Sequence, residues 1–390
     1  MKILYASAYP DSEFEKKFST GILLSQAAQK FNKLYIKGFC LNELDVDVVL
    51  FDNNIDNQTI KEEYNGKTIT YYIHQLTGDY LERKKSKAKH ISDVVESYKK
   101  SDNCGIVVID SLFPAAYELS KKAKSRGFKV VSIVTDLIDD TFNKKSLMSV
   151  VKGKILSYNF YRQFKFSDYL VLLSGAMIER IPNKSAKYGV FNGICDYELL
   201  NNTEQIEKFD KKILVYTGEI RKMYGIHNLV EAFISLDRSD AELWLYGTGL
   251  QFYPELQKII EENPCVKYQG IKPNKEIVEI QKKATLLINP RLTQNFGEYI
   301  KYSFPSKNIE YMVSGTPCIT TRLPAITKDY DDYLFYFDDE SMAGMKKVLN
   351  DCLNLPEDEL KSRGLSTKKF ILNKLNNKEV AGKILDVFDN

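Results

Sequence analysis

The sequence predicts an α/β protein made of two doubly wound, Rossmann-like domains. Short apolar runs, rich in β-branched and aromatic residues, alternate with longer amphipathic stretches along almost the whole chain, the pattern of parallel strands buried on both faces and joined by helices. A polar stretch, NNTEQIEKFD at 201–210, interrupts the alternation near the middle and reads as a linker. The length, 390 residues, exceeds one comfortable core and suits two domains of roughly 150–200 residues each.

The first half opens on MKILYASAYP, whose apolar run is too short for a signal peptide and reads as a first buried strand. The runs Ile3–Ala6, Ile106–Ile109, Val130–Val134 and Tyr169–Leu173 follow as further strands, most of them leading into a helical pattern. KLYIKGF, VDVVLF and KTITYYIH, within 33–75, are less regular and read as strands at one side of that sheet. After the linker a second series begins: KKILVYTG, AELWLYGTG, CVKYQG, ATLLINP and TPCITT. Each ends near Gly or Pro and most lead into a helix. Residues 357–390 are helical by pattern. The expected domains are 1–200 and 211–374, joined by 201–210. Two doubly wound domains imply a central cleft, with ligands outside the carboxyl ends of the strands.

Composition narrows the function. Hydrophobic residues make up 44% and charged residues 27%, which excludes a disordered or collagen-like chain. Lys+Arg total 55 against 52 for Asp+Glu, a net charge of only +3. A general nucleic-acid binder is far more basic, so no nucleic-acid partner is expected. The six cysteines are scattered without CxxC or zinc spacing and read as buried, reduced thiols. His74, His90 and His227 form no metal-binding motif, so neither a metal nor a bound cofactor is expected. No apolar run reaches the ~20 residues of a membrane span.

The most informative segment is NPRLTQNFGEYIKYSFPSKNIEYMVSGTPCITT, 289–321. A strand ends at Ile288–Asn289 and another begins near Pro317. Between them Pro305–Ser314 reads as a helix, with Pro305 in its first turn and Gly315 as its C-cap. Ile309, Met312 and Val313 give an apolar face; Ser303, Ser306, Lys307 and Glu310 share another. Hydroxyls and a lysine at a helix N-terminus suit a phosphate group, and Glu310, one turn further in, suits two vicinal hydroxyls such as those of a ribose. The same spacing also fits a surface helix with a solvated Lys and Glu.

FPSKNIEYMVSGTPCI resembles the donor-site helix of glycosyltransferase family 4 and its GT-B relatives, which carry E-[AY]-M-x-[SC]-G-x-P. Glu310, Tyr311, Met312, Ser314, Gly315 and Pro317 match it. The likeness extends through ILVYTGEIRKMYGIHNLVEAF (213–233), LWLYGTG (243–249), VKYQGI (266–271) and ATLLINPR (284–291), in the family's order. VIDSLFP, VTDLIDD and FSDYLVLLSGAM match more loosely. The resemblance implies a GT-B architecture, two Rossmann-like domains facing a central cleft, with the C-terminal helix 375–390 crossing back to the N-terminal domain through Val380, Ile384, Leu385 and Phe388.

It also implies a metal-independent, retaining transfer of a sugar from a nucleotide sugar, such as a UDP-sugar, to a hydroxyl of a glycan or lipid-linked glycan. The setting it suggests is bacterial surface-polysaccharide assembly, in the cytoplasm or at the inner face of the plasma membrane. Glu310 then takes the ribose, while Gly270 and Ile271 lie near the base. The turn after the first strand, at Gly218, departs from the family: the usual Arg and Lys are missing, and Tyr224 stands where the Lys is expected. Arg221, Lys222, Lys307 and Arg291 are the substitutes for the diphosphate, together with Ser306. The E-x7-E pattern also fails, because Tyr302 occupies the first Glu position. Glu298, four residues earlier, is the replacement, which leaves room for a non-catalytic partner subunit. A sugar-nucleotide epimerase shares the fold but needs more acid–base groups.

In the N-terminal half, Gly21 follows the loop 9–20, whose Asp11, Glu13 and Glu15 suit an acceptor. Asp136 ends VVSIVTD and, with Glu298, is the candidate catalytic carboxylate. Asp110 ends a neighbouring strand, and either aspartate serves equally as a helix cap. His74 ends TITYYIH and is a candidate acceptor-side base. Gly247 and Gly249 in YGTGL give only a GxG. Finally, 141–167 holds Lys144, Lys145, Lys152, Lys154, Arg162 and Lys165, with no acidic residue and an apolar stripe at helical spacing. Such a helix either lies on an anionic bilayer or packs its apolar side on the sheet and leaves its lysines solvated. Exposure of the stripe separates the two.

Overall fold

Parallel pairing dominates the computed structural model, which describes residues 2–7, 26–53, 55–101, 105–138, 147–201, 207–295 and 297–389. The chain divides into two compact units, 1–197 with 375–390, and 198–374.

In the N-terminal unit the elements run β1 (Lys2–Ala6), α1 (Gln26–Leu41), β2 (Asp45–Asp52), β3 (Gln58–Tyr64), β4 (Lys67–Gln75), α2 (Tyr80–Ser101), β5 (Ile106–Asp110), α3 (Ala116–Ser125), β6 (Lys129–Val134), α4 (Leu147–Gln163), β7 (Tyr169–Leu172) and β8 (Lys187–Val190). They form one eight-stranded sheet ordered β3-β4-β2-β1-β5-β6-β7-β8, parallel except for β3 against β4. β1, β5 and β7 are buried along nearly their whole length, as strands covered on both faces must be.

KLYIKGF, expected as a strand, lies inside helix α1. Leu34, Tyr35, Ile36, Phe39 and Cys40 are buried there, and the i, i+1, i+4, i+5 spacing of the last four is helical. VDVVLF and KTITYYIH are β2 and β4, and the polar hairpin strand β3 closes that edge.

The C-terminal unit runs β9 (Lys212–Thr217), α5 (Ile226–Ile234), β10 (Ala241–Tyr246), α6 (Pro254–Glu262), β11 (Val266–Gly270), α7 (Asn274–Lys283), β12 (Leu286–Asn289), α8 (Ser306–Ser314), β13 (Cys318–Thr321), β14 (Phe335–Phe337), α9 (Met342–Leu353) and α10 (Glu357–Leu375). Its six-stranded parallel sheet is ordered β11-β10-β9-β12-β13-β14. The chain starts at β9, winds outward through β10 and β11, and returns to β12 on the other side of β9. The strand order therefore reverses between β9 and β12, the place where such sheets bind ligands.

From Lys208 onward the expected linker is tied to the C-terminal unit by hydrogen bonds. The Lys208 ammonium donates to the carbonyls of Lys282 and Ala284 and to the Thr316 hydroxyl, each at 2.8 Å. Burial lowers its pKa to about 8.

The last helix, α11 (Asn377–Asp389), belongs to the N-terminal unit and packs on α1. Val380, Ala381 and Ile384 are fully buried there, each large side chain stabilising by roughly 1.5–3 kcal/mol as an upper bound. The Asn377 amide donates to the Leu34 carbonyl at 3.0 Å. Four of the described cysteines (Cys40, Cys195, Cys318, Cys352) are buried, Cys265 is half-buried, and all five are free.

Candidate functional site

The carboxyl ends of β9 and β12 hold most of the residues singled out from the sequence. Two buried polar networks fix α8 against these strand ends. Tyr311, fully buried, accepts from the Thr217 backbone N–H at 2.9 Å and meets the Thr217 hydroxyl at 3.1 Å. The Asn289 amide donates to the Asn308 side-chain oxygen at 2.6 Å, and the Asn308 amide donates to the Thr320 hydroxyl at 3.2 Å. Every member is buried, so each bond avoids a costly orphaned group. The first network ties α8 to β9 and the second to β12 and β13.

The helix begins at Ser306, with Pro305 at the cap rather than in the first turn, and no side chain caps it among the described residues. It ends at Gly315, whose φ of 79° is the left-handed C-cap. Ile309 and Met312 are buried, while Lys307 and Glu310 are half-buried and Ser306 is exposed.

Lys307 reaches back over the first strand. A Cβ on Gly218 would lie 2.8 Å from the Lys307 Cε and 2.8 Å from the Tyr216 hydroxyl, so glycine at 218 leaves room for both. The Tyr216 hydroxyl donates to the Glu219 carbonyl at 2.8 Å. Burial raises its pKa, and the Arg291 charge opposes that rise. Arg291 also stands over the Tyr224 ring, 5.1 Å from its centroid. Its backbone is fixed from both sides, since its N–H donates to the Thr321 hydroxyl at 2.9 Å and that hydroxyl donates to its carbonyl at 2.8 Å. Burial depresses the Arg291 pKa, with Tyr224 and Tyr216 acting the other way, yet a guanidinium remains charged. Both cations thus border the Tyr216–Gly218 step at the switch point.

The other expected cations are more solvated. Arg221 is exposed and paired with Glu219 at 2.5 Å, and Lys222 is exposed on the short turn 222–224. The glycine pair 247/249 turns out to be steric. A Cβ on Gly247 would sit 1.8 Å from the Gly218 carbonyl oxygen, so the loop after β10 can lie on the loop after β9 only without one. The Gly247 N–H donates to the Gly270 carbonyl at 2.9 Å, continuing the lacing to β11. Beyond it Ile271 is 71% exposed, an apolar side chain held at the sheet's ligand edge.

Glu298 projects into solvent, its side chain 89% exposed, and pairs with Lys301 at 2.9 Å; that bond lowers its pKa. Tyr302, at the position of the missing first Glu, is buried.

The remaining candidates lie in the N-terminal unit. Asp136 is exposed two residues past the end of β6. Asp110 is buried: it accepts from the Leu112 N–H at 2.9 Å and the Asn32 amide at 3.0 Å, which makes it a turn-capping residue. His74 meets the Ser86 hydroxyl at 2.7 Å and stacks on His90 with centroids 4.4 Å apart. Burial lowers the pKa of both, His90 to about 4, where the His74 charge adds to the lowering. β2, β1 and β5 separate His74 from the Asp136 end of the sheet, about 19 Å at ordinary strand spacing, so the two do not meet. Gly21 falls outside the described residues.

Sequence reasoning missed Tyr216, Asn308 and the pairing of His74 with His90. Only Asn308 left a local trace, a polar residue beside the apolar positions of α8.

Residues 211–351 match the family model described as Glycosyl transferases group 1, a segment lying wholly within the C-terminal unit. Among solved structures, the chain is similar to sucrose-phosphate synthase from Thermosynechococcus elongatus, at 13% identity and a TM-score of 0.66, covering 100% of this chain and 98% of that one. It is similar to HepE from Anabaena in complex with UDP, at 12% identity and a TM-score of 0.62, covering 100% of each. A further match is an E. coli structure described as trehalose-6-phosphate bound with UDP-2-fluoro glucose, at 10% identity and a TM-score of 0.63, covering 99% and 98%. The chain has the GT-B fold. No curated protein sequence matches it.

Proposed function

We propose that this protein is a glycosyltransferase that takes its sugar from a UDP-sugar and passes it to a hydroxyl of a glycan or lipid-linked glycan. The observation that carries the reading is a pair of cations at the switch point of the C-terminal sheet, Lys307 beside Gly218 and Arg291 over the Tyr224 ring and beside Tyr216. That sheet lies in the segment matching the glycosyl transferases group 1 model. Two cations at the switch point, one of them at a helix start, suit a diphosphate, whose leaving charge grows in the transition state. The bound UDP and UDP-2-fluoro glucose of the similar structures support a uridine nucleotide as donor.

In this reading Glu310 accepts the ribose hydroxyls, Gly270 and Ile271 border the base, and Ser306 adds a hydroxyl to the phosphate side. Arg221 and Lys222 contribute charge from the rim, because Glu219 already compensates Arg221. Asp136, past the end of β6, is the acceptor-side carboxylate, and transfer proceeds with retention.

Calorimetry with UDP tests the placement. Glu310→Ala removes charge-assisted hydrogen bonds of roughly 1.5–3 kcal/mol and should weaken UDP binding about tenfold or more. Unchanged affinity in a folded variant contradicts the site. One observation favours a second reading, a non-catalytic partner subunit: Tyr302 is buried where the family places a carboxylate, and Glu298 is turned to solvent. Release of UDP from a UDP-sugar separates the two, since only a transferase performs it.

A further inference from the structure

Helix α4 packs on α3 and buries one side, and no described residue covers a second, apolar side. Phe160, Phe164, Gln163 and Ser157 are buried, and the Phe160 and Phe164 rings pack edge to face, 5.2 Å apart. The need of a doubly wound domain for a covering helix is met by these residues alone. Yet Ile155 is 56% exposed, Leu156 63% and Tyr158 62%, three large apolar side chains within four positions. Arg162 holds the Tyr158 ring in place, its guanidinium 5.1 Å from that centroid and 4.5 Å from the Tyr117 ring.

The flanking charge has one sign. Lys154 and Lys165 are exposed at the two ends of this patch, and the sequence from 141 to 167 has no Asp or Glu. The patch also has basic neighbours. The crossovers β4–α2–β5, β5–α3–β6 and β6–α4–β7 all advance the same way along the sheet, so right-handed connections put α2, α3 and α4 on one face, opposite α1. Along that face α2 packs on α3 and α3 on α4. Helix α2 opens with Tyr80 79% and Leu81 63% exposed, followed by one exposed carboxylate, Glu82, and the exposed cations Arg83, Lys84, Lys85 and Lys89.

We propose that this helix face is a docking surface for an anionic lipid bilayer. The occupant follows from the charge. A second copy would oppose lysine to lysine across a two-fold contact, and protein interface cores are depleted of Lys. A negatively charged lipid surface instead accepts both halves of the patch, cations at the headgroups and apolar side chains at the acyl boundary. The proposal is independent of the sugar-transfer reading.

Sedimentation of the full chain with vesicles is the test. Vesicles of phosphatidylcholine with about one-third phosphatidylglycerol should pull the protein down at low salt, and pure phosphatidylcholine should not. Raising the salt should release it. Lys154→Glu should lower partitioning about fivefold or more, by the usual worth of one cation at such a surface. The Ile155→Ser/Leu156→Ser/Tyr158→Ser variant alters only exposed positions, so it should keep its melting temperature and its UDP binding while losing about tenfold or more in vesicle binding. Failure of the wild-type chain to sediment with anionic vesicles at low salt overturns the proposal. So does equal sedimentation of the triple variant, or a wild-type dimer in ultracentrifugation that the triple variant abolishes. Because UDP binding is read in the same samples, loss of the lipid surface and loss of the nucleotide site are told apart.

Discussion

Tyr224 carries no charge, yet its removal should weaken diphosphate binding. It occupies the position where the family pattern has a lysine, and its ring lies 5.1 Å beneath the Arg291 guanidinium. The two hydrogen bonds to Thr321 fix the Arg291 backbone, so Tyr224→Ala frees only the side chain. A cation–π contact contributes roughly 0.5–1 kcal/mol when exposed and about 2 when desolvated. For the half-buried Arg291 a value of about 1–1.5 kcal/mol follows, or roughly five- to thirteenfold in UDP affinity. Tyr224→Phe keeps the ring and should stay within about twofold of wild type. The assay is UDP calorimetry on Tyr224→Ala, Arg291→Ala and the double variant. A coupling energy near 1 kcal/mol is expected, because the ring acts through the guanidinium. Strict additivity, or equal losses for Tyr224→Phe and Tyr224→Ala, refutes the reasoning.

Other perturbations probe the rest of the account. Lys307→Ala should lower turnover more than donor affinity, since leaving-group charge develops in the transition state; steady-state kinetics showing only a raised KM contradict this. Gly38→Ala should lower the melting temperature of the chain by several degrees, because its Cβ would lie 2.3 Å from the Asn377 carbonyl oxygen where α11 crosses α1; an unchanged melt removes that contact from the stability account. Burial lowers the His90 pKa to about 4, below the ordinary value of about 6.5 in an unfolded chain. The unfolded state therefore takes up the proton first. The stability that the neutral ring provides is full above about pH 6.5 and is lost as pH falls toward 4. His74 shifts in the same direction, while Asp93 opposes the shift at His90. His90→Phe should flatten the loss of stability between pH 7 and pH 5 in denaturant titrations, and an unchanged slope contradicts the assignment.

The parts of the fold that were legible in the sequence are those written locally. β1, β5, β9 and β12 are short apolar runs because both faces are covered, and α8 is announced by Pro305 before it and Gly315 after it. KLYIKGF misled because its buried apolar residues, Leu34, Tyr35, Ile36 and Phe39, sit close enough together in sequence to imitate a strand's apolar run. Hairpin strand β3 carries little apolar signal, only Ile60 and Tyr64, with Lys61, Glu62 and Glu63 exposed.

At the site, the motif on α8 pointed to the right helix, but its partners come from distant chain. Lys307 meets Gly218 across 89 positions, and Tyr311 meets Thr217 across 94. Spacing along one segment cannot reveal such pairs. The stacking of His74 on His90 is hidden for the same reason: a strand residue and a helix residue are joined by tertiary packing alone. Tyr224 stood out as a missing lysine, and its compensation by Arg291 required the geometry.

The measurement that bears most directly on the central claim is nucleotide release from a panel of UDP- and GDP-sugars, made in parallel on wild type, Lys307→Ala and Arg291→Ala. The account predicts UDP release by the wild-type chain from at least one UDP-sugar, reduced by about tenfold or more in each variant by loss of a charge-assisted contact to the diphosphate. Absence of release from every donor, together with no detectable UDP binding, contradicts it. So does release that both variants leave unchanged.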